Sequence, residues 1–125
     1  MPVELQWHPT LPVLIATYRG VITSGNYQAM RDQRRAMLDA GPDQVILLVD
    51  LRQMEALRNG EKTVPYKNDV VLRKVYRTLI VLREPLYRTL ARAIADTAGQ
   101  DHPVSFYRSL EDAIRRAEQL AAQLA

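Results

Sequence analysis

Four charged residues stand at two places where an apolar segment ends. Asp50 lies in the apolar run at residues 44–51 and Arg52 follows it, while Arg83 and Glu84 stand at the end of the run at residues 75–83. If the two runs are neighbouring parallel strands, these residues converge at their carboxyl ends, where open α/β sheets place their ligand crevices. Two interpretations stay open, a site for a small ligand and a structural ion pair at the strand ends.

The other residue types that carry out catalysis lack the spacing that such chemistry needs. Residues 60–63, Gly-Glu-Lys-Thr, resemble the end of a phosphate-binding loop, but the earlier glycine is missing and a glutamate interrupts the motif. His8 and His102 are the only histidines, and no third ligand stands in register with them. The chain has no cysteine, and no serine lies in an elbow motif. We therefore predict a protein that is not an enzyme and holds no cofactor and no metal.

The run at residues 44–51 is the strand that positions Asp50. It reads Gln-Val-Ile-Leu-Leu-Val-Asp-Leu, with six apolar residues out of eight and no alternation. That pattern is typical of a central parallel strand that is buried on both faces. Residues 52–68 show no regular period, so a loop is predicted to follow this strand.

The segments before this strand predict a hairpin and a helix. Alternation predicts strands at residues 3–7 and 13–19, joined by a proline-containing loop as an antiparallel pair. Thr23 is a suitable N-cap for a helix that runs to about Ala40, where Gly41 would supply a left-handed C-cap. The helix is predicted to turn Met30, Met37 and Leu38 to the sheet and Arg31, Arg34 and Arg35 to solvent.

The segments after the central strand predict further alternation of helices and strands. Prolines open a short helix at residues 65–74 and a longer one at residues 85–99, on either side of the strand at residues 75–83. A short strand at residues 104–107 precedes a helix that is capped by Ser109. The expected fold is α/β, with a single mixed, mostly parallel five-stranded sheet and about four helices in the order β-β-α-β-α-β-α-β-α.

Four short segments follow one another in an order that is known from one family. They are residues 18–23 (Tyr-Arg-Gly-Val-Ile-Thr), residues 45–51 ending in Val-Asp-Leu, residues 85–91 (Pro-Leu-Tyr-Arg-Thr-Leu-Ala) and residues 106–114 (Phe-Tyr-Arg-Ser-Leu-Glu-Asp-Ala-Ile). The pattern covers nearly the whole chain and resembles the STAS domain, the SpoIIAA-like fold of anti-sigma-factor antagonists. It is most similar to the small bacterial STAS/SEC14-like relatives.

The resemblance implies a non-enzymatic regulatory module that binds a protein or a small ligand. In the anti-sigma-factor antagonists, the loop after this Asp-Leu carries a phosphorylated serine motif at a helix N-terminus. Here residues 52–60 contain no serine, and Thr63 is the only hydroxyl before Tyr66, so the usual phosphoserine switch is not expected. We predict a binding face around the loop after residue 51 and the next two helix starts, formed by Asp50, Arg52, Met54, Thr63, Arg83 and Glu84.

Two kinds of partner fit this prediction. One is a protein, either a different one or a second copy of the chain bound at an uncovered edge strand. The alternative is a small apolar ligand, carried as in SEC14-like proteins in a pocket lined by Met54, Leu57 and Val70.

The charge and the length of the chain bear on its expected partners, its number of domains and its location. The net charge is +3, and residues 52–92 hold ten Lys/Arg against four Asp/Glu. A solvated surface explains this excess, and binding of nucleic acid is not expected because these residues would scatter over different faces. The 125 residues predict a single domain, with no membrane span and no leader segment, in the cytoplasm.

Overall fold

The computed structural model of the protein describes residues 2–58, 74–83 and 104–124, with backbone only at residues 57 and 58. Five strands and two helices lie within these ranges. They are β1 (Val3–Trp7), β2 (Val13–Thr23), α1 (Ser24–Ala40), β3 (Val45–Arg58), β4 (Val75–Val81), β5 (Val104–Tyr107) and α2 (Leu110–Leu124).

The strands form one sheet in the order β1-β2-β3-β4-β5. β1 is antiparallel to β2, and the other three pairs are parallel. The predicted mixed, mostly parallel five-stranded sheet is therefore confirmed. The described order is β-β-α-β-β-β-α with two helices, which differs from the predicted order with about four. The other two predicted helices, at residues 65–74 and 85–99, lie outside the described residues apart from Lys74.

The sheet has an apolar core on each face. On one face, residues of β1 to β4 pack with Met30 and Leu38 of α1. On the other, Ile46 and Leu48 of the central strand pack with α2, whose Ala113, Ala117, Leu120 and Ala121 are buried at helical spacing. Because β3 has a core on both sides, every residue from 45 to 50 is buried, as its unbroken apolar sequence predicts.

α1 begins as the sequence predicts and ends differently. The Thr23 hydroxyl accepts a hydrogen bond from the backbone N–H of Asn26, and the Asn26 side chain accepts one from the backbone N–H of Thr23. At the other end, Gly41 has φ −95°, so the predicted left-handed C-cap is wrong. A Cβ on Gly41 would lie 2.8 Å from two ring carbons of Trp7, and this close approach explains the glycine. Lys74 completes the cap by donating to the carbonyl of Leu38 at 2.7 Å.

The sheet-facing stripe of α1 contains a charged residue. Met30, Arg34 and Leu38 repeat at four-residue spacing, and all three are buried. The expectation that Arg34 faces solvent is therefore wrong. The helical period places residue 34 between two core positions, and that geometry decides its burial in spite of its charge.

β3 is longer than predicted and extends the sheet on one side. The predicted loop after residue 51 is wrong for residues 52–58, which continue β3 and pair in parallel with the end of β2. Two register shifts interrupt this pairing, and Gly20 at the second shift has φ +68°. We call residues 19–23 and 53–58 the β2–β3 extension. They run beyond Val3 of β1 and Val81 of β4, where the pairing with those strands ends.

Candidate functional site

Asp50 lies inside the sheet and not at the end of its own strand. It pairs with Thr17 of β2 and with Val81, the last residue of β4, while Val81 pairs with Tyr107, the last residue of β5. Asp50 therefore lies level with the carboxyl ends of β4 and β5. The sequence predicts a position near the carboxyl end of β3, but β3 continues past Asp50 to Arg58. Residues two apart in a strand lie on the same face of the sheet. The Asp50 side chain is therefore on the α2 face, together with those of Ile46 and Leu48.

Arg52 binds the Asp50 carboxylate through both of its oxygens. Arg52 Nε donates to Oδ1 and Nη2 donates to Oδ2, each at 2.9 Å, and the backbone N–H of Arg52 donates to Oδ1 at 3.1 Å. The Asp50 side chain is 4% exposed and that of Arg52 is 36% exposed. These hydrogen bonds raise the pKa of Arg52, against the opposing effect of its burial. The geometry supports the structural ion pair, because both carboxylate oxygens are already bound.

The other residues of the predicted site do not join this pair in the described structure. Arg83 is exposed and lies two residues beyond Val81. Met54 is buried in the core on the α1 face, across the sheet from Asp50. Thr63 and Glu84 lie outside the described residues, as do the Leu57 side chain and Val70 of the predicted ligand pocket. The pocket thus has one described member, and its side chain is packed in the core.

A row of hydrogen-bonded polar side chains on the α2 face of the sheet is not predicted by the sequence. Arg19 donates from Nη1 to Glu4 Oε2 at 2.8 Å and from Nε to Gln53 Oε1 at 3.1 Å, so it links three strands. The Arg19 and Glu4 side chains are 46% and 54% exposed, and Gln53 is also exposed. We call Glu4, Arg19 and Gln53 the polar ladder.

The β2–β3 extension has one covered and one accessible side. Ile22 and Met54 are buried on the α1 side, whereas Arg19, Val21 and Gln53 lie on the opposite side and are exposed or half-buried. α2 packs against β3, β4 and β5, and its buried partners on β3 are Ile46 and Leu48, at the other end of that strand. The accessible side therefore combines the polar ladder with the half-buried Val21 and Ala56.

His8 has a structural role in the loop between β1 and β2. Its Nδ1 accepts hydrogen bonds from the backbone N–H groups of Thr10 and Leu11, each at 3.2 Å. Within residues 2–58, 74–83 and 104–124, no three histidine, aspartate or glutamate side chains form a candidate metal site. His102 lies outside these ranges.

Most of the chain superposes on solved structures. An uncharacterized protein of the DUF3478 family from Shewanella loihica PV-4, described as having a SpoIIAA-like fold, superposes with a TM-score of 0.63 and 16% sequence identity, over 92% of this chain and 91% of that one. The fold is SpoIIAA-like. Three of the four sequence segments that resemble the STAS domain lie in or at the ends of β2, β3, β5 and α2. The fourth, residues 85–91, lies outside the described residues.

Two further SpoIIAA-like neighbours carry functional names. The anti-sigma factor antagonist SpoIIAA in its unphosphorylated form matches with a TM-score of 0.58 and 12% identity, over 93% of this chain and 97% of that one. An anti-sigma factor antagonist from Mycobacterium paratuberculosis matches with a TM-score of 0.61 and 20% identity, over 93% and 92%. No protein-family model matches the sequence, and no curated protein sequence matches it significantly.

The described helices are also too short or too polar for a lipid bilayer. No helix in the described part of the chain could cross a membrane.

Proposed function

We propose that the protein is a regulatory module of the STAS type that acts by binding another protein, without catalysis. The observation that carries this proposal is the SpoIIAA-like fold, which extends over more than nine-tenths of this chain and of two anti-sigma factor antagonists. Those neighbours are regulators by name, and the partner of this chain would be a protein in the same way.

We place the contact on the accessible side of the β2–β3 extension. In the polar ladder, Arg19 donates hydrogen bonds to Gln53 and to Glu4. Arg52, bound to Asp50 at the base of the extension, has a partly exposed side chain. Polar groups held in place beside half-buried Val21 and Ala56 lose little conformational entropy on binding, which favours a protein contact.

This module would work without a phosphoserine at the position used by its antagonist relatives. Residues 52–60 contain no serine, and residues 52–58 form a strand. A strand that pairs with β2 does not offer the open helix N-terminus at which a phosphate is best stabilised.

Cross-linking in cells tests the proposed contact. The tagged protein is cross-linked in its source cells, purified and analysed by quantitative mass spectrometry, together with two double variants. Arg19→Ala with Gln53→Ala removes the polar ladder, whereas Gln33→Ala with Arg35→Ala removes an exposed glutamine and arginine from α1. We expect one protein to be recovered with the wild type and the α1 variant, and roughly tenfold less of it with the ladder variant.

Two outcomes would contradict the proposal. Equal recovery of every protein with both variants would exclude the β2–β3 extension as the contact. Native mass spectrometry that finds a stoichiometric apolar adduct, with no protein recovered specifically, would favour the small-ligand carrier instead. Circular dichroism of both variants confirms that a difference in recovery reflects the surface and not the fold.

A further inference from the structure

The backbone of β1 uses only alternate residues to pair with β2. The N–H of Arg19 donates to the carbonyl of Pro2 at 2.7 Å, and the N–H of His8 donates to the carbonyl of Val13 at 2.8 Å. These bonds and the antiparallel register assign the even-numbered residues of β1 to the hydrogen-bonded pairs. The N–H and C=O groups of Val3, Leu5 and Trp7 therefore point away from β2.

In the described part of the chain, this outer edge lacks the bulges, lysines and prolines that protect many edge strands. Among the described residues, no strand lies beyond β1. Its register with β2 is continuous from Val3 to Trp7, without a bulge, and it contains no lysine and no proline. Its one charged side chain, Glu4, is bound to Arg19. A straight edge whose charge is neutralised is a template for another strand.

We infer that this edge pairs with β1 of a second copy of the chain, which joins the two sheets across a twofold axis. An antiparallel pair centred on Leu5 matches the outward groups of Val3 with those of Trp7 in the other copy. Pro9, the next outward position, has no N–H and ends the pairing. The same register places Glu4 beside Gln6 of the other copy, so that no two glutamates face each other.

The edge is self-complementary, which argues for a second copy over an unrelated strand. A twofold axis requires that the pattern of donors, acceptors and side chains match itself when reversed. The segment from Val3 to Trp7 does so, with aliphatic Leu5 at the centre, Glu4 and Gln6 on either side, and apolar residues at both ends. The inference does not depend on the proposed function, since β1 pairing leaves the β2–β3 extension accessible.

Two opposite substitutions of Gln6 test the arrangement. Gln6 is exposed, so neither substitution disturbs the core. Gln6→Glu places like charges beside each other twice per dimer, and we expect roughly tenfold weaker dimerization in analytical ultracentrifugation. Gln6→Lys places Lys beside Glu4 twice, and we expect dimerization to strengthen. Sedimentation from micromolar to millimolar concentration gives the dissociation constant of each variant.

Amide hydrogen exchange identifies the surface. We expect the N–H groups of Val3, Leu5 and Trp7 to exchange more slowly as concentration rises, while those of Glu4 and Gln6 are protected at every concentration. A protein that stays monomeric throughout overturns the inference, and so does a dimer in which the three outward amides do not change. Neither result affects the recovery of a partner by the β2–β3 extension, so the two proposals fail separately.

Discussion

At the scale of single residues, Arg52 neutralises a carboxylate that lies inside the sheet. Replacing Arg52 by alanine leaves Asp50 buried and without its bidentate partner. We expect the free energy of unfolding to fall by about 2–4 kcal/mol in urea denaturation. The matched control is Arg35→Ala, which removes an exposed arginine from α1 and should change stability by less than about 0.5 kcal/mol. Similar small losses in both variants would contradict a structural role for the ion pair.

The pH dependence of this effect has a definite sign. Hydrogen bonding to Asp50 raises the pKa of Arg52 in the folded protein. A group with a raised pKa stabilises the fold below its unfolded-state pKa, and loses that effect as pH rises through the folded one. For arginine this window lies at extreme alkaline pH. The stability difference between wild type and Arg52→Ala should therefore be constant from about pH 7 to about pH 10.

His8 provides a second test at this scale. Its Nδ1 accepts two backbone hydrogen bonds in the loop that joins β1 to β2. His8→Ala should lower the free energy of unfolding by about 1 kcal/mol. Asparagine can accept from the backbone two residues ahead, so His8→Asn should restore most of the loss in the same denaturation experiment. Equal losses in both variants would show that ring packing matters more than the hydrogen bonds.

The sequence predicts some of these residue roles and hides others. Asp50 and Arg52 were foreseen together, since they lie two apart at the end of an apolar run. The polar ladder cannot be predicted from the sequence, because Arg19 meets Glu4 and Gln53 only through the register of three strands. Charge alone predicts that Arg34 faces solvent, whereas its helical position between Met30 and Leu38 predicts that it is buried.

At the scale of elements, the turn after α1 depends on the contact between Gly41 and Trp7. Gly41→Ala should destabilise the protein by about 1–3 kcal/mol, because the new methyl group would meet the Trp7 ring at 2.8 Å. The backbone of Gly41 is extended and suits alanine. In a Trp7→Leu background, the same substitution should therefore cost much less, because the remaining close atom is the carbonyl oxygen of Met37 at 3.2 Å. Thermal denaturation of the four proteins completes a double-mutant cycle, and a loss that persists without Trp7 would refute the explanation.

The length of β3 is the feature of an element that the sequence conceals. Residues 52–58 include Gln, Glu, Ala, Leu and Arg, which are typical of helices, and they show no alternation. Two register shifts against β2 break the period of two that marks a strand. The pairing of this segment depends on the similarly extended end of β2, which lies far away in sequence.

At the scale of the whole molecule, the mixed, mostly parallel sheet can be predicted from sequence patterns that do not depend on exact side-chain contacts. An unbroken apolar run identifies the central strand, and alternation identifies β1, because each pattern reports how many faces are buried. Strand directions then follow from the short connection between β1 and β2 and from the expected parallel crossovers. The position of the polar ladder does not follow, since register shifts of one residue change which side chains meet.

The same architecture predicts an uneven stability across the molecule. Residues 46–49 of β3 are buried and are paired on both sides, with β2 and with β4. In the described structure, residues 53–58 pair only with β2, and Gln53 and Glu55 are exposed. Hydrogen exchange by NMR should find amides of residues 46–49 on the order of 100-fold slower than those of residues 53–58. Equal protection would mean that the β2–β3 extension is as firmly packed as the centre of the sheet.

A contact surface that opens locally can adapt to a partner without unfolding the core, whereas a uniformly protected extension would have to bind as a rigid body.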